Sequence, residues 1–142
     1  MSRVQLALNV GDLDAAIEFY SKLFGASPAK VRDGYANFAI DEPALKLVLI
    51  EGDGEPGSLN HLGVEVETTD DVGAAIARVR AEGLVTAIEE QTTCCYAVQD
   101  KVWVQGPDNR PWEIYTVLED ADVMHPVDSA CCAPNAVAEA CC

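Results

Sequence analysis

Residues 61–66 read His61-Leu62-Gly63-Val64-Glu65-Val66, and near the start of the chain stands Gln5-Leu6-Ala7-Leu8-Asn9-Val10. Both stretches alternate with the period of a half-buried strand; in the first, residues 4, 6, 8 and 10 are apolar and Gln5, Ala7 and Asn9 face the other way. The residues after each stretch match as well. Leu13, Ile17, Tyr20 and Phe24 form a helical stripe opened by the cap Gly11-Asp12 and closed by Gly25; Val72, Ile76 and Val79 repeat it, with Gly83 in the place of Gly25. The first unit continues in three short strands near 29–32, 35–40 and 45–50. The second continues near 85–89, 97–105 and 112–118, the last strand coming after the turn Gly106-Pro107-Asp108-Asn109. Between the units lies a Gly- and Pro-rich charged linker, Glu51-Gly52-Asp53-Gly54-Glu55-Pro56-Gly57-Ser58. One helix on a small sheet buries too little core to stand alone, so the two units must share one. The expected fold is α+β: two tandem βαβββ modules forming a cup-shaped mixed sheet with helices outside. Module one spans 1–51 and module two 59–118, and residues 119–142 form a flexible acidic tail that contains cysteines.

Composition limits what such a chain does. At 142 residues, 49% of them hydrophobic and 23% charged, it suits one compact domain that needs no disulfide staples. A net charge of -15 without a Lys/Arg cluster repels phosphate backbones, which argues against nucleic acid as a partner. No apolar run approaches the roughly 20 residues of a membrane span, and the N-terminus enters its strand pattern without a secretory leader, so the expected location is the cytoplasm. In a reducing compartment, paired thiols read as metal-binding or catalytic rather than structural.

The residues opposite the apolar faces should line the inner surface of the cup. They include Gln5 from the first strand, His61 from the repeat and, by alternation with Trp112 and Ile114, Glu113 from the last strand. An amide oxygen, a neutral imidazole and a carboxylate can together hold a divalent first-row metal and leave positions open for substrate or dioxygen. The alternative is that Gln5 caps an edge, His61 is a solvated strand end and Glu113 is a surface carboxylate. The equivalent placement of Gln5 and His61 in the two halves favours the metal.

All 6 cysteines occur as neighbours: Cys94-Cys95, Cys131-Cys132 and Cys141-Cys142. A disulfide between sequence neighbours is strained and easily reduced. Adjacent residues of a regular strand point to opposite faces, so Cys94 and Cys95 can grip one atom only where the backbone bends, and Thr92-Thr93 suggests a loop entry there. Two small buried apolar residues, one per face, would be the plainer reading of a single pair; three pairs count against it. Thiolates select soft or borderline partners such as Cu(I), zinc, cadmium or trivalent arsenic.

The paired modules, Gln5 and His61 on the first strand of each half, and Glu113 in Gly106-Pro107-Asp108-Asn109-Arg110-Pro111-Trp112-Glu113-Ile114 resemble the vicinal oxygen chelate superfamily. That superfamily includes glyoxalase I, extradiol dioxygenases, and fosfomycin and bleomycin resistance proteins; the resemblance covers about residues 2–118. The strand at 45–50 offers only Lys46 and apolar side chains where many members supply a fourth ligand. That departure disfavours glyoxalase I, and an open three-ligand site suits Fe(II) oxygen chemistry better than closed structural zinc; the donor set is compatible with manganese as well as iron. With Cys94-Cys95 added, the set resembles the carbon-arsenic lyases and the neighbouring cadmium-induced proteins. The resemblance implies an enzyme in which Gln5, His61 and Glu113 hold Fe(II). Cys94 and Cys95 hold a trivalent methyl or aromatic arsenical as a dithiolate, and dioxygen is the co-substrate that releases arsenite from the carbon-arsenic bond. Tyr96, Lys101 and Tyr115 shape or close the pocket, with no chemical step assigned to them.

Two rival readings arise from the same residues. A protein that only sequesters cadmium or arsenic through thiols needs neither His61 nor Glu113, and a dioxygenase or resistance enzyme of this fold does not need the cysteines. Cys131, Cys132, Cys141 and Cys142, tethered beside the domain, are candidates for capturing thiophilic ions. The sequence is compatible with a monomer or a homodimer.

Overall fold

A computed structural model of the chain describes residues 2–125, so Cys131, Cys132, Cys141 and Cys142 lie outside the described residues. In order the elements are β1 (Arg3–Val10), α1 (Leu13–Phe24), β2 (Lys30–Arg32), β3 (Tyr35–Ile40), β4 (Leu45–Glu51), β5 (Leu59–Glu65), α2 (Thr69–Ala81), β6 (Thr86–Cys94), β7 (Ala97–Gln105) and β8 (Pro111–Asp120). This is the βαβββ order twice over, as the sequence predicts. The described residues divide inside β5 into two compact units, Ser2–Gly63 and those from Val64 onward.

In the first unit the strands lie in the order β2, β3, β4, β1, β5. β1 runs parallel to β4, with Gln5 beside Lys46 and Ala7 beside Val48. Leu6, Leu8 and Val10 pack with Leu13, Ile17, Tyr20 and Phe24 of α1 around Phe38, Leu47 and Leu49. That contact consumes the apolar face of β1 and leaves Gln5, Ala7 and Asn9 on the other, where all three are buried. Helix α1 starts where Asp12 accepts a hydrogen bond from the Ala15 N–H, and it ends at Gly25, whose φ of 62° suits a residue without a Cβ.

In the second unit β7 lies between β8 and β6. Val102 and Val104 of β7 and Ile114 of β8 turn toward α2, where Ile76 and Val79 cover them. A capping box between Thr68 and Asp71 opens α2. β6 runs to Cys94 rather than ending near Glu89 and giving way to a loop at Thr92-Thr93. The polar run Glu89-Glu90-Gln91 hides this continuation, because a bulge between Glu89 and Thr92 interrupts the alternation. β8 likewise runs beyond Leu118, with Glu119 opposite Val98 and Asp120 opposite Ala97, so the first two residues expected in the tail are strand. Residues 121–124 return to the β6–β7 turn: Ala121 N–H donates to the Tyr96 carbonyl and Cys95 N–H to that of Met124.

The loop before β8 sets the position of Glu113. Asp108 and Asn109 take positive φ, and Gly106 N–H donates to the Arg110 carbonyl. A Cβ at Gly106 would collide with that carbonyl oxygen, so the tight loop requires glycine at this position. The ladder beyond it seats Glu113 opposite Trp103.

Candidate functional site

Each unit carries a cluster of buried polar side chains on the face away from its helix. In the first, Gln5 is 4% and His61 2% exposed, which rules out a solvated strand end for His61. The Gln5 Nε2 and His61 Nε2 atoms are 3.0 Å apart, and on the other side of the ring His61 Nδ1 lies 2.7 Å from Asn60 Oδ1. Asn60 Oδ1 can only accept, so Nδ1 carries the proton and Nε2 presents its lone pair toward Gln5. Asn60 is itself held, its Nδ2 donating to Asn9 Oδ1 at 2.8 Å and Asp53 Oδ2 at 2.7 Å. An imidazole steered through its far nitrogen by a fixed acceptor is the usual preparation of a histidine metal ligand. Gln5 completes it, since half a turn of its amide presents Oε1 where Nε2 now sits.

In the second unit the cross-strand pairs sort the side chains of β6, β7 and β8 by face. Glu89 lies opposite Lys101 and Cys94 opposite Ala97; Lys101 lies opposite Tyr115, and Trp103 opposite Glu113. Paired residues of an antiparallel ladder share a face, so Glu89, Cys94, Lys101, Trp103, Glu113 and Tyr115 stand on the face away from α2. Glu113 is 3% exposed and no surface carboxylate. Its Oε2 accepts from Lys101 Nζ at 2.9 Å, and that ammonium lies 5.4 Å from the Trp103 ring centre and 5.9 Å from that of Tyr115.

Burial by itself pulls the Lys101 pKa down. The Glu113 carboxylate and the nearby Cys95 and Glu89 outweigh burial, so the pKa is raised and Lys101 stays a cation. For Glu89 burial dominates and raises the pKa, opposed by Lys101 and by the Trp103 indole and reinforced by Glu113. A carboxylate with a raised folded pKa contributes most stability when protonated, and loses that contribution as the pH rises from its ordinary 4.5 through the folded value. Glu89→Gln should therefore stabilise the protein modestly at pH 7, with the gain vanishing below the ordinary glutamate range. Denaturant midpoints of both proteins at pH 4 and pH 7 measure this; an equal gain at the two values would exclude the titration as its cause.

Cys94 ends β6, and Cys95 with Tyr96 makes the two-residue turn into β7, both with positive φ of 55° and 59°. Positive φ at both central positions is what a type I′ hairpin turn requires, a conformation that costs a non-glycine residue of order 1–3 kcal/mol. The turn brings the two Sγ atoms to 3.2 Å. Two bonds of about 2.3 Å, a typical metal-sulfur length, meeting near a right angle span about that distance. Cys94 is disulfide-bonded in this structure and Cys95 is a thiol, so gripping one atom with both sulfurs requires Cys94 to be reduced first.

Sequence reasoning gave Lys101 a share in shaping the pocket but missed its ion pair with Glu113. The signal was a lone lysine two positions from Trp103 on the same face as Glu113. Asn60, beside His61, was also passed over. Among the described residues, no group of three or more His, Cys, Asp or Glu side chains is arranged to hold a metal, and the proposed set draws one donor from an amide, Gln5. No helix of the described residues is long and apolar enough to cross a membrane.

Comparison with known proteins adds a chemical context. Residues 3–114 match the Glyoxalase/Bleomycin resistance protein/Dioxygenase superfamily. The chain is 64% identical over 137 residues to a trivalent organoarsenical cleaving enzyme of Thermomonospora curvata, covering 95% of this chain and 91% of that protein. It is also 64% identical over 122 residues to the cadmium-induced protein CadI of Mycobacterium bovis, covering 86% and 80%. Among solved structures, an extradiol ring-cleaving dioxygenase from B. fuscum superposes with a TM-score of 0.60 at 22% identity, over 84% of this chain and 34% of that one, a likeness of fold.

Proposed function

The chain belongs to the Glyoxalase/Bleomycin resistance protein/Dioxygenase superfamily, and from that premise we propose that it is an Fe(II)-dependent, dioxygen-using enzyme that cleaves the carbon-arsenic bond of trivalent organoarsenicals and releases arsenite. The observation that carries the reading is the pair of sulfurs 3.2 Å apart at the Cys94–Cys95 turn, in a chain 64% identical to an enzyme named for this cleavage.

Gln5, His61 and Glu113 are the proposed ligands. They fit a hard-to-borderline divalent ion: the far side of His61 is fixed by Asn60, Gln5 stands at its donor nitrogen, and Glu113 is a buried carboxylate with a counter-charge beside it. Iron bound there supplies the activation of dioxygen. The residues of the chain do the rest by binding and orientation. Reduced Cys94 and Cys95 each exchange their proton for arsenic: two As–S bonds form, two As–O bonds of the hydrated arsenical break, and two waters leave. The Lys101 ammonium is close enough to Cys95 for the two to interact electrostatically, which puts a cation near the thiol pair that makes this exchange. Trp103 and Tyr115, both buried, keep water from the face that carries Lys101 and Glu113. Fixing arsenic on two sulfurs makes the encounter with the oxidant intramolecular.

The test loads reduced protein with Fe(II) under anaerobic conditions, adds a trivalent methylarsenical and then air, and measures inorganic arsenite. Release should occur in the wild type and be lost in both Cys95→Ser and His61→Ala. Tight arsenical binding without release, iron being confirmed, would replace the enzyme with thiol-based sequestration. Release that survives Cys94→Ser and Cys95→Ser would mean the thiols are not the substrate site, leaving the reading of a dioxygenase or resistance enzyme of the same fold.

A further inference from the structure

Five positions separate Glu89 from Cys94, an odd number, and on an uninterrupted strand the two side chains would face opposite ways. They face the same way because Glu90 and Gln91 together oppose the single residue Asp100, so the bulge absorbs one residue. Gln91 takes φ of 48° there, and its N–H, turned out of the ladder, donates to Asp100 Oδ1 at 2.8 Å. The other oxygen, Asp100 Oδ2, accepts from Thr69 Oγ1 of α2 at 2.6 Å. Asp100 lies beside Lys101 in sequence and is buried. If the bulge relaxed, β6 would slip by one residue against β7, and Thr93 would take the face that Cys94 now occupies.

We propose that Asp100 is a positioning residue for arsenical binding: by holding the Gln91 bulge it keeps Cys94 on the face of Lys101 and Glu113. The inference rests on Cys94-Cys95 as the thiol clamp, and it assigns the selection of which sulfur faces the site to a carboxylate on the opposite side of the sheet. Asp100 touches no substrate. Its two hydrogen bonds connect the first residue of α2 to the bulge, so the helix that covers the apolar face also fixes the register of the strand that ends in the clamp.

The experiment measures binding of phenylarsine oxide to the reduced, metal-free, full-length protein carrying Cys131→Ser, Cys132→Ser, Cys141→Ser and Cys142→Ser, which leaves Cys94 and Cys95 as its thiols and serves as the reference for every variant below. Asp100→Ala should weaken binding by about tenfold or more, while Asp100→Asn, which keeps an oxygen for the Gln91 N–H, should bind close to the reference. Deleting Gln91 removes the extra residue and leaves a regular ladder with the same cross-strand pairs, so this shortened protein should bind without needing Asp100. Asp100→Ala added to it should then cost nothing. Reference affinity in Asp100→Ala overturns the proposal, as does an equal loss in the deletion background, which would mean that Asp100 acts otherwise than through the bulge. Should Asp100→Ala fail to fold in the full-length chain, the shortened pair decides in the same way. Cys95→Ser in the same reference background, with Asp100 and Gln91 intact, reports on the clamp alone: undiminished binding there sinks the thiol reading and leaves the test of Asp100 separate.

Discussion

Lys101→Met should lower the stability of the metal-free protein by about 3–5 kcal/mol, the usual cost of removing one partner from a buried ion pair. Lys101 Nζ and Glu113 Oε2 are 2.9 Å apart, with side-chain exposures of 1% and 4%, so the abandoned carboxylate has little water to turn to. The loss corresponds to a fall in Tm of about 10 °C or more for a chain of this size. The double variant Lys101→Met with Glu113→Gln should recover most of the loss, because no uncompensated charge remains. Since the Lys101 pKa is raised, the contribution is fully present below the ordinary lysine value of 10.5 and fades as the pH rises through the higher folded value. Urea unfolding at pH 7 measures the effect; a loss below about 1 kcal/mol, or no recovery in the double variant, would show that the pair is not holding the fold. With Glu113 as a metal ligand, Mn(II) should restore part of the stability of the single variant, since a bound cation supplies the charge that Lys101 no longer does.

Asn60→Leu should weaken metal binding by roughly 10–100-fold, the range found when the partner that orients a histidine ligand is removed. Asn60 Oδ1, 2.7 Å from His61 Nδ1, holds the proton on that nitrogen; removing it takes away this constraint against carrying the proton on Nε2, the nitrogen required for the metal. The substitution also withdraws the bonds from Asn60 to Asn9 and Asp53. Asn60→Asp, which keeps the acceptor, should bind metal far better than Asn60→Leu. Titration of the metal-free protein with Mn(II), followed by the signal of the unbound ion, gives the affinities without reference to turnover. Equal affinity in Asn60→Leu and wild type would remove His61 Nε2 from the proposed ligand set.

The large features of the fold were legible because they are periodic. Alternation in residues 4–10 placed Gln5 opposite the helix-facing residues, and the repeat at His61 placed the imidazole on the equivalent strand, where the structure joins the two side chains. Glu113 could be assigned a face from its neighbours Trp112 and Ile114. What escaped depends on register, which no single strand contains. The Lys101–Glu113 bond exists because Trp103 lies opposite Glu113, an alignment set by the Gly106–Arg110 loop. The bulge at Gln91 escaped because an extra residue looks like a break in the pattern, and five consecutive polar residues from Glu89 to Thr93 offered no apolar beat from which to count across it. The strand in Glu119-Asp120 escaped because two acidic residues before a polar tail look solvated, while their backbone is paired with β7.

The turn at Cys95-Tyr96 changes how adjacent cysteines should be sought in other proteins. Within a strand, a Cys-Cys pair divides its sulfurs between two environments and chelates nothing. Shifted by one residue, so that the second cysteine is the first residue of a two-residue hairpin turn, the same dipeptide brings its two sulfurs to 3.2 Å, the separation a bidentate donor needs. A search for vicinal thiols would therefore gain selectivity by scoring the dipeptide together with its phase relative to the end of the strand, and by accepting an aromatic residue where hairpin statistics ask for glycine.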